Sequence, residues 1–316
     1  MFNKKIKYLI FIFLAITFLN VTKVSGQYYA WQMLRYEFYF GGGVTNFMGD
    51  VGAPINNNSF NSNVWVNKQA VRWVGQTGLK MALGDRQKIR GNLAVGMLSN
   101  DDRYGNWPDS IARYLNFKSL IVELGAHYEL YLIPDRRWSF NKYSRWINTP
   151  KAWRNLLQPV YMFAGVGGIY FNPKGYTNGK WHSLQPLYTE GVSYSRISAV
   201  AMGGLGIKIR VARYHSLFVE AGWRLAFTDY LDDVSVGELR STDYMREHYG
   251  ELAAILFYRN HNEQNHPAEG FQGGPGTGRG GDWFDQYQFI TLNYAITLKA
   301  NQRNRPTFKI YKANED

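Results

Sequence analysis

Hydrophobic and polar positions alternate along this chain in blocks of about ten residues, which is typical of membrane-spanning strands. The clearest block is 216–234, where every second residue of Leu217–Phe227 is apolar. The intervening positions mix Glu220 and Arg224 with glycine, alanine and threonine. A half-buried soluble strand would also alternate. Charge and glycine opposite an apolar face rich in aromatics favour instead a strand between lipid and a polar lumen.

Seven more segments share the pattern, so the sequence predicts eight strands. Connections after the second and sixth strands are short, whereas those after the first, third, fifth and seventh are long, as in barrels with periplasmic turns and extracellular loops. We therefore predict an all-β fold over residues 27–299, a transmembrane antiparallel up-and-down β-barrel. It would be integral to the bacterial outer membrane with both termini in the periplasm. The strands are expected near 35–45, 71–83, 89–97, 118–132, 159–173, 205–211, 216–227 and 287–299.

Charge distinguishes the connections. Residues 133–158, between the fourth and fifth strands, form a longer periplasmic insertion with six Lys or Arg and one Asp, and the polar tail 300–316 is also basic. The outer loop 228–286, with a short helix predicted at Asp243–Tyr258, carries eleven acids and four Arg. Opposite charge on the two faces suggests different partners. The insertion either contacts a periplasmic protein or anchors itself near anionic lipid.

Residues 1–26 predict a cleaved signal peptide, with three lysines followed by an apolar run at 8–19. That run is shorter than the roughly 20 residues of a helical span. Removing four lysines with this peptide lowers the formal charge from +12 to +8, and an exported chain gives no reason to expect nucleic acid. An aromatic content of 16% fits interfacial girdles, and the absence of cysteine excludes a thiol nucleophile.

Segments that resemble catalytic or metal sites are incomplete. Gly273–Gly280 lacks the Lys and Ser or Thr of a phosphate-binding loop, and His261 with His266 lacks the four ligands of structural zinc. An acidic group at 229–233 leaves a cation or hydrolysis as alternatives, although no nucleophile is near it in sequence. His127 is expected in the lumen, ion-paired with a glutamate of its own strand. We predict no catalytic residue, no cofactor and no metal, and hence no enzyme.

Three motifs are similar to those of PorG-like outer-membrane β-barrel proteins of Bacteroidetes: Asn46–Gly52 (NFMGDVG), Pro159–Pro173 and Phe227–Ser235 (FTDYLDDVS). The resemblance implies a non-enzymatic component of the type IX protein secretion system, associated with the periplasmic ring of the PorK lipoprotein and PorN. It also implies signature positions that close strand ends and shape loops. These are Gly49, Asp50, Thr228, Asp229, Tyr230, Asp232 and Asp233.

Arginine and aromatic residues are the usual anchors of protein interfaces. The expected partners are the ring proteins on the periplasmic side, together with outer-membrane lipid and lipopolysaccharide. The alternatives are a generic small barrel that acts as a surface-binding protein or narrow pore, and a barrel hydrolase. The candidate ring contacts in the insertion are Arg136, Arg137, Trp138, Arg145, Trp146 and Arg154.

Overall fold

The computed structural model describes most of the region between residues 36 and 298. The predicted signal peptide, the tail and residues 134–158 lie outside it, as do 258–283, so His261, His266 and the glycine-rich segment are not placed. The described residues are 36–52, 70–84, 86–104, 115–133, 159–189, 191–212, 214–235, 242–257 and 284–298.

Eight antiparallel strands close into a barrel, as predicted. Each pairs with two neighbours in the order β1-β2-β3-β4-β5-β7-β8-β9, and β9 pairs back to β1. The remaining strand, β6, pairs only with the far end of β5. The strands are β1 (Tyr36–Met48), β2 (Arg72–Ala82), β3 (Gln87–Asp101), β4 (Asn116–Tyr131), β5 (Val160–Thr177), β6 (Lys180–Ser183), β7 (Ile197–Arg210), β8 (His215–Ala226) and β9 (Gln286–Leu298).

The β5–β6 hairpin corrects the expectation of a plain loop after the fifth strand. Asn178 and Gly179 both have positive φ, 48° and 76°. Both central residues of a type I′ turn need positive φ, and this turn suits the twist of two paired strands. The pairing of Lys174–Thr177 with β6 therefore carries the sheet beyond the barrel wall.

The two ends of the barrel differ. At the turn end β1 begins, β9 ends, and short turns join β2 to β3 and β7 to β8. At the loop end lie the connections β1–β2, β3–β4, β5–β7 and β8–β9. The loop end also holds α1 (Thr242–Tyr249) and α2 (Glu251–Phe257).

A single helix over Asp243–Tyr258 was expected, and this is wrong. The chain breaks at Gly250, whose φ of +89° lies outside helical geometry. Two short helices result, and Met245 of α1 packs on Ala254 and Phe257 of α2. Neither helix of the described residues is long and apolar enough to cross a membrane.

The two faces of the barrel wall have opposite character. Leu124, Val166 and Leu205 point outward and are 65%, 68% and 56% exposed, while Arg90 and Glu129 point inward and are buried. Outward aromatics form two girdles, Tyr36, Tyr128 and Tyr294 toward the turn end and Trp73, Tyr170, Trp223 and Phe227 toward the loop end. An apolar exterior between aromatic girdles, around a polar interior, is the arrangement of an outer-membrane β-barrel.

Candidate functional site

Paired charges fill the lumen nearest the turn end. Arg90 binds Glu220, and its Nη1 lies 3.3 Å from Glu129 Oε1. Lys80 Nζ is 2.9 Å from the same Glu129 oxygen. The Tyr161 hydroxyl donates a hydrogen bond of 2.5 Å to Glu220 Oε1. Burying an ion is costly unless it has a partner of opposite charge, and each of these four ions has one.

A second ion cluster joins strands from across the barrel. Glu37 of β1 accepts hydrogen bonds from Lys88 of β3 at 3.2 Å and from Lys208 of β7 at 2.6 Å. The Lys88 ammonium also lies 4.7 Å from the centre of the Tyr131 ring. Side chains of an eight-stranded barrel are long enough to fill its interior, and here they meet in its middle.

His127 lies in the lumen as expected, but its expected glutamate partner is wrong. Its Nδ1 accepts a hydrogen bond of 2.9 Å from Arg90 Nε, and its Nε2 is 3.0 Å from Met202 Sδ. Arg90 stands directly opposite His127 in the β3–β4 register. Directly opposed residues are closer than residues two apart on one strand. Glu123 and Glu129 are held instead by Tyr287 and Lys80.

Apolar side chains fill the lumen nearest the loop end. Phe47 packs edge-on against Phe117, with ring centres 4.7 Å apart. This group, which we call the apolar plug, occupies the lumen between the ion pairs and the loops. Its buried members include Phe47, Val74, Leu98, Phe117, Ile121, Ile169, Phe171, Val200, Leu231, Tyr287 and Phe289.

Buried aspartates tie the loops together above the plug. Asp232 accepts hydrogen bonds from the backbone N–H groups of Val51 at 3.0 Å and Val234 at 3.1 Å, joining the first and last loops. Asp233 accepts bonds from the Thr189 and Tyr194 hydroxyls, joining the last loop to the β5–β7 connection. Asp carboxylates commonly satisfy turn backbones in this way.

The other resemblance positions lie in the same layer. Thr228 accepts a hydrogen bond of 3.3 Å from the Tyr230 N–H, and Tyr230 stacks on Tyr194 with ring centres 4.5 Å apart. Gly49 lies so close to Asp285 and Phe47 that a Cβ there would overlap both side chains. Gly49 thus lets the first loop approach the barrel rim.

Sequence reasoning missed two further aspartates in this layer. Asp285 accepts a hydrogen bond of 2.8 Å from the Leu231 N–H. Asp102 accepts bonds from the N–H groups of Gly52 at 2.8 Å and Leu115 at 3.1 Å. Both aspartates lie far in sequence from the backbone N–H groups that they accept from, and no local motif indicates those contacts. Four loop-end connections are thereby joined by aspartate side chains.

Crowding of carboxylates in this layer changes their acidity. Burial, and next the charge of Asp50, raises the pKa of Asp232 well above its ordinary value. Burial, and next the charges of Asp232 and Asp229, raises the pKa of Asp285 likewise. Low-dielectric surroundings and neighbouring negative charge both disfavour ionisation. Within the part of the chain that the structure describes, no three His, Cys, Asp or Glu residues are placed to hold a metal ion.

The candidate ring contacts Arg136, Arg137, Trp138, Arg145, Trp146 and Arg154 lie outside the described residues. The described flanks fix where their segment leaves the barrel. The N–H groups of Leu132 and Ile133 donate to the carbonyl oxygen of Val160, at 2.9 and 3.2 Å. The segment 134–158 therefore departs from and returns to the turn end.

No protein-family model matches the sequence, and no curated protein matches it significantly. Several solved structures are similar in fold. Neisserial surface protein A is 8% identical with a TM-score of 0.35, over 83% of this chain and 96% of that chain. Ail of Yersinia pestis is 7% identical with a TM-score of 0.35, over 84% and 100%. OprG of Pseudomonas aeruginosa is 11% identical with a TM-score of 0.30, over 84% and 98%. Likeness this distant carries no information about function.

Proposed function

We propose that this chain is a non-enzymatic outer-membrane β-barrel component of the type IX secretion system. It associates with a periplasmic ring of PorK- and PorN-type proteins and anchors that ring to the membrane. The observation that carries the proposal is a lumen filled with buried side chains. Ion pairs around Arg90 and Glu37 fill one half, and the apolar plug fills the other. A barrel packed in this way is suited to fixing a partner in place.

The distribution of charge agrees with this role. In the proposed orientation the turn end faces the periplasm, as short turns do in outer-membrane barrels. The segment 134–158 leaves from that end with a net charge of +5 and carries three tryptophans besides its arginines. Fixed positive charge steers and orients an acidic partner. Anchoring would then require only this surface and the rigid wall behind it.

The test is a pull-down from detergent-solubilised outer membrane with a tagged chain. A variant with Arg136, Arg137, Arg145 and Arg154 changed to Glu is compared with the wild type. We expect ring proteins to copurify with the wild type and to be lost from the variant. A control variant carries Arg103→Glu, Lys180→Glu and Arg246→Glu. These three exposed bases lie at the loop end, so the control should retain the ring.

The three outcomes distinguish the proposed anchoring role from the proposed arginine contact. Recovery of the ring with wild type and control alone supports both. Recovery with every variant supports the anchoring role and overturns the arginine contact. If no barrel recovers a ring component, although each migrates as a folded, heat-modifiable species, the secretion role is overturned.

The surface-binding alternative rests on exposed aromatic side chains at the loop end. Tyr188 and Tyr244 are partly exposed. The Tyr188 ring also stacks on the Tyr249 ring, with ring centres 5.8 Å apart. Exposed aromatics outside the membrane are common in binding surfaces. Deletion of residues 236–283 would then abolish binding to the cell-surface ligand while sparing secretion, which is the reverse of the result expected for the arginine variant.

A further inference from the structure

Two lysines stand side by side on the outer surface of the barrel. Lys118 of β4 and Lys174 of β5 are direct partners in the antiparallel register. They share the outward face of their strands with Leu120, Leu124 and Tyr170. Like charges directly opposite each other destabilise a sheet. No ion pair to a described residue compensates either lysine.

Two aromatic side chains flank the lysines on the same face. Tyr176 and Trp181 are register partners across the β5–β6 hairpin, 45% and 43% exposed, with ring centres 5.3 Å apart. The Lys118 ammonium lies 5.6 Å from the Trp181 ring centre. Lysine beside tryptophan and tyrosine is typical of the zone where lipid headgroups begin. We call Lys118, Lys174, Tyr176 and Trp181 the lysine patch.

The height of the patch on the barrel agrees with that zone. The outward face of β4 runs from Tyr128 in the turn-end girdle, through Leu124 and Leu120, to Lys118. This is about 33 Å of strand, and a strand tilted by about 40° gains about 25 Å of height over that length, which matches the apolar band of such barrels. The lysine patch therefore lies at the edge of the hydrocarbon, level with headgroups.

The next acidic residue described along this face is Asp101, and it does not neutralise the lysine patch. Asp101 stands opposite Asn116, one row beyond Lys118. Its carboxylate is engaged by Arg103, with Nη2 at 2.7 Å from Oδ2. No described residue therefore supplies a counter-charge to the two ammonium groups of the lysine patch. Phosphate is the anion that headgroups offer at this depth, and lysine binds it as a compact point charge.

We propose that the lysine patch binds the phosphate of a phosphorylated lipid headgroup in the leaflet that surrounds the loop end. Lys118 and Lys174 share the phosphate, and Tyr176 and Trp181 pack beside the headgroup above the acyl chains. The lipid phosphate places negative charge between the paired lysines, so binding also relieves their mutual repulsion. This site is independent of the secretion role and lies at the opposite end from segment 134–158.

The experiment places the purified barrel in phosphatidylcholine nanodiscs that contain a small fraction of diphosphoryl lipid A or of the same lipid dephosphorylated. Native mass spectrometry then counts the lipid A retained. We expect the wild type to retain the phosphorylated form preferentially, and Lys118→Gln with Lys174→Gln to reduce that preference roughly tenfold or more. Lys180→Gln, on the opposite face of the hairpin, is the matched control and should leave it unchanged.

A charge reversal separates lipid binding from structure. Lys118→Glu creates an ion pair with Lys174 across the strands, so it should raise the melting temperature in detergent while abolishing the lipid preference. Equal retention of both lipids by the wild type, or an unchanged preference in the double variant, overturns the proposal. So does displacement of the lipid by inorganic phosphate alone, because the site would then take a free ion. Lys118→Arg with Lys174→Arg should keep the preference.

Discussion

Asp285 holds the last loop through only one of its two carboxylate oxygens. Oδ2 accepts the Leu231 N–H, whereas Oδ1 is buried without a hydrogen-bond donor among the described residues. The residue lies just before β9, in a connection outside the barrel wall. An unpartnered buried oxygen beside other carboxylates destabilises the ionised form. Loop closure here is therefore achieved against a local electrostatic cost.

Asp285→Asn should stabilise the protein, increasingly so as the pH rises. The folded-state pKa of Asp285 is raised above the ordinary 3.8, so its favourable contribution is present below that value and is lost as the pH rises through the folded pKa. Asn keeps an oxygen for the Leu231 N–H and replaces the unpartnered, charged Oδ1 with a neutral amide nitrogen. We expect a gain of about 1–2 kcal/mol at neutral pH, shrinking toward acid pH.

Thermal unfolding in detergent over a pH series measures this difference directly. Asp243→Asn is the control, since the Asp243 side chain is exposed and its substitution should change little. A gain that does not vary with pH would contradict the assignment of the shift to Asp285. A loss of stability would show that the charge itself is needed in this layer.

Within the strands, glycines make room for large lumen side chains. A Cβ on Gly206 of β7 would overlap the Tyr161 ring, and one on Gly78 of β2 would overlap the Tyr39 ring. Both tyrosines are fully buried. Pairing a glycine with a large neighbour keeps the interior densely packed without straining the wall. The glycines of these strands are thus part of how the lumen is filled.

Gly206→Ala should therefore destabilise the barrel by about 1–3 kcal/mol through overpacking. The Tyr161 ring would have to move, and its hydrogen bond to Glu220 would break. Gly203→Ala on the same strand is the matched control, because a Cβ there meets only ordinary van der Waals contact. Urea unfolding in micelles measures both. Equal effects of the two substitutions would refute the packing account.

Strand faces could be predicted from alternation alone, because lipid outside and charge inside impose a strict period of two. The β5–β6 hairpin was missed although Asn178-Gly179 is a strong hairpin signal. Its flanks Lys174–Thr177 and β6 do not repeat the apolar alternation of the wall. The helix break at Gly250 was missed because an isolated glycine is tolerated in many helices. In both places the hydrophobic pattern alone did not indicate the structure that forms.

The candidate site was only partly predictable. Asp232 and Asp233 sit in one acidic motif, and Asp chemistry alone indicates turn-shaping for both. Their partners Val51, Thr189 and Tyr194 come from other loops, and those contacts depend on how the closed barrel brings loop ends together. The ring contacts in segment 134–158 stay a prediction, as does the signal peptide.

For the molecule as a whole, the packed lumen predicts a barrel that does not conduct ions. Buried ion pairs occupy one half of the lumen, and the apolar plug occupies the other. We expect the purified protein to produce no stepwise conductance in planar lipid bilayers. An outer-membrane porin inserted under the same conditions provides the positive control. Reproducible conductance steps would support the narrow-pore alternative instead.

Closure of the wall between β1 and β9 joins the first and last strands of the barrel. Across that seam the Gln76 side chain donates to Thr291 and Asn293 of β9, while Glu37 reaches strands on both sides of the circle. A chain still waiting for β9 holds these groups without their full set of partners, and lipid tolerates unmatched polarity poorly. An open sheet would therefore expose unmatched polar groups to lipid, and closing the circle with β9 removes that cost. The polar interior thus favours insertion of the complete barrel over insertion of a partial one.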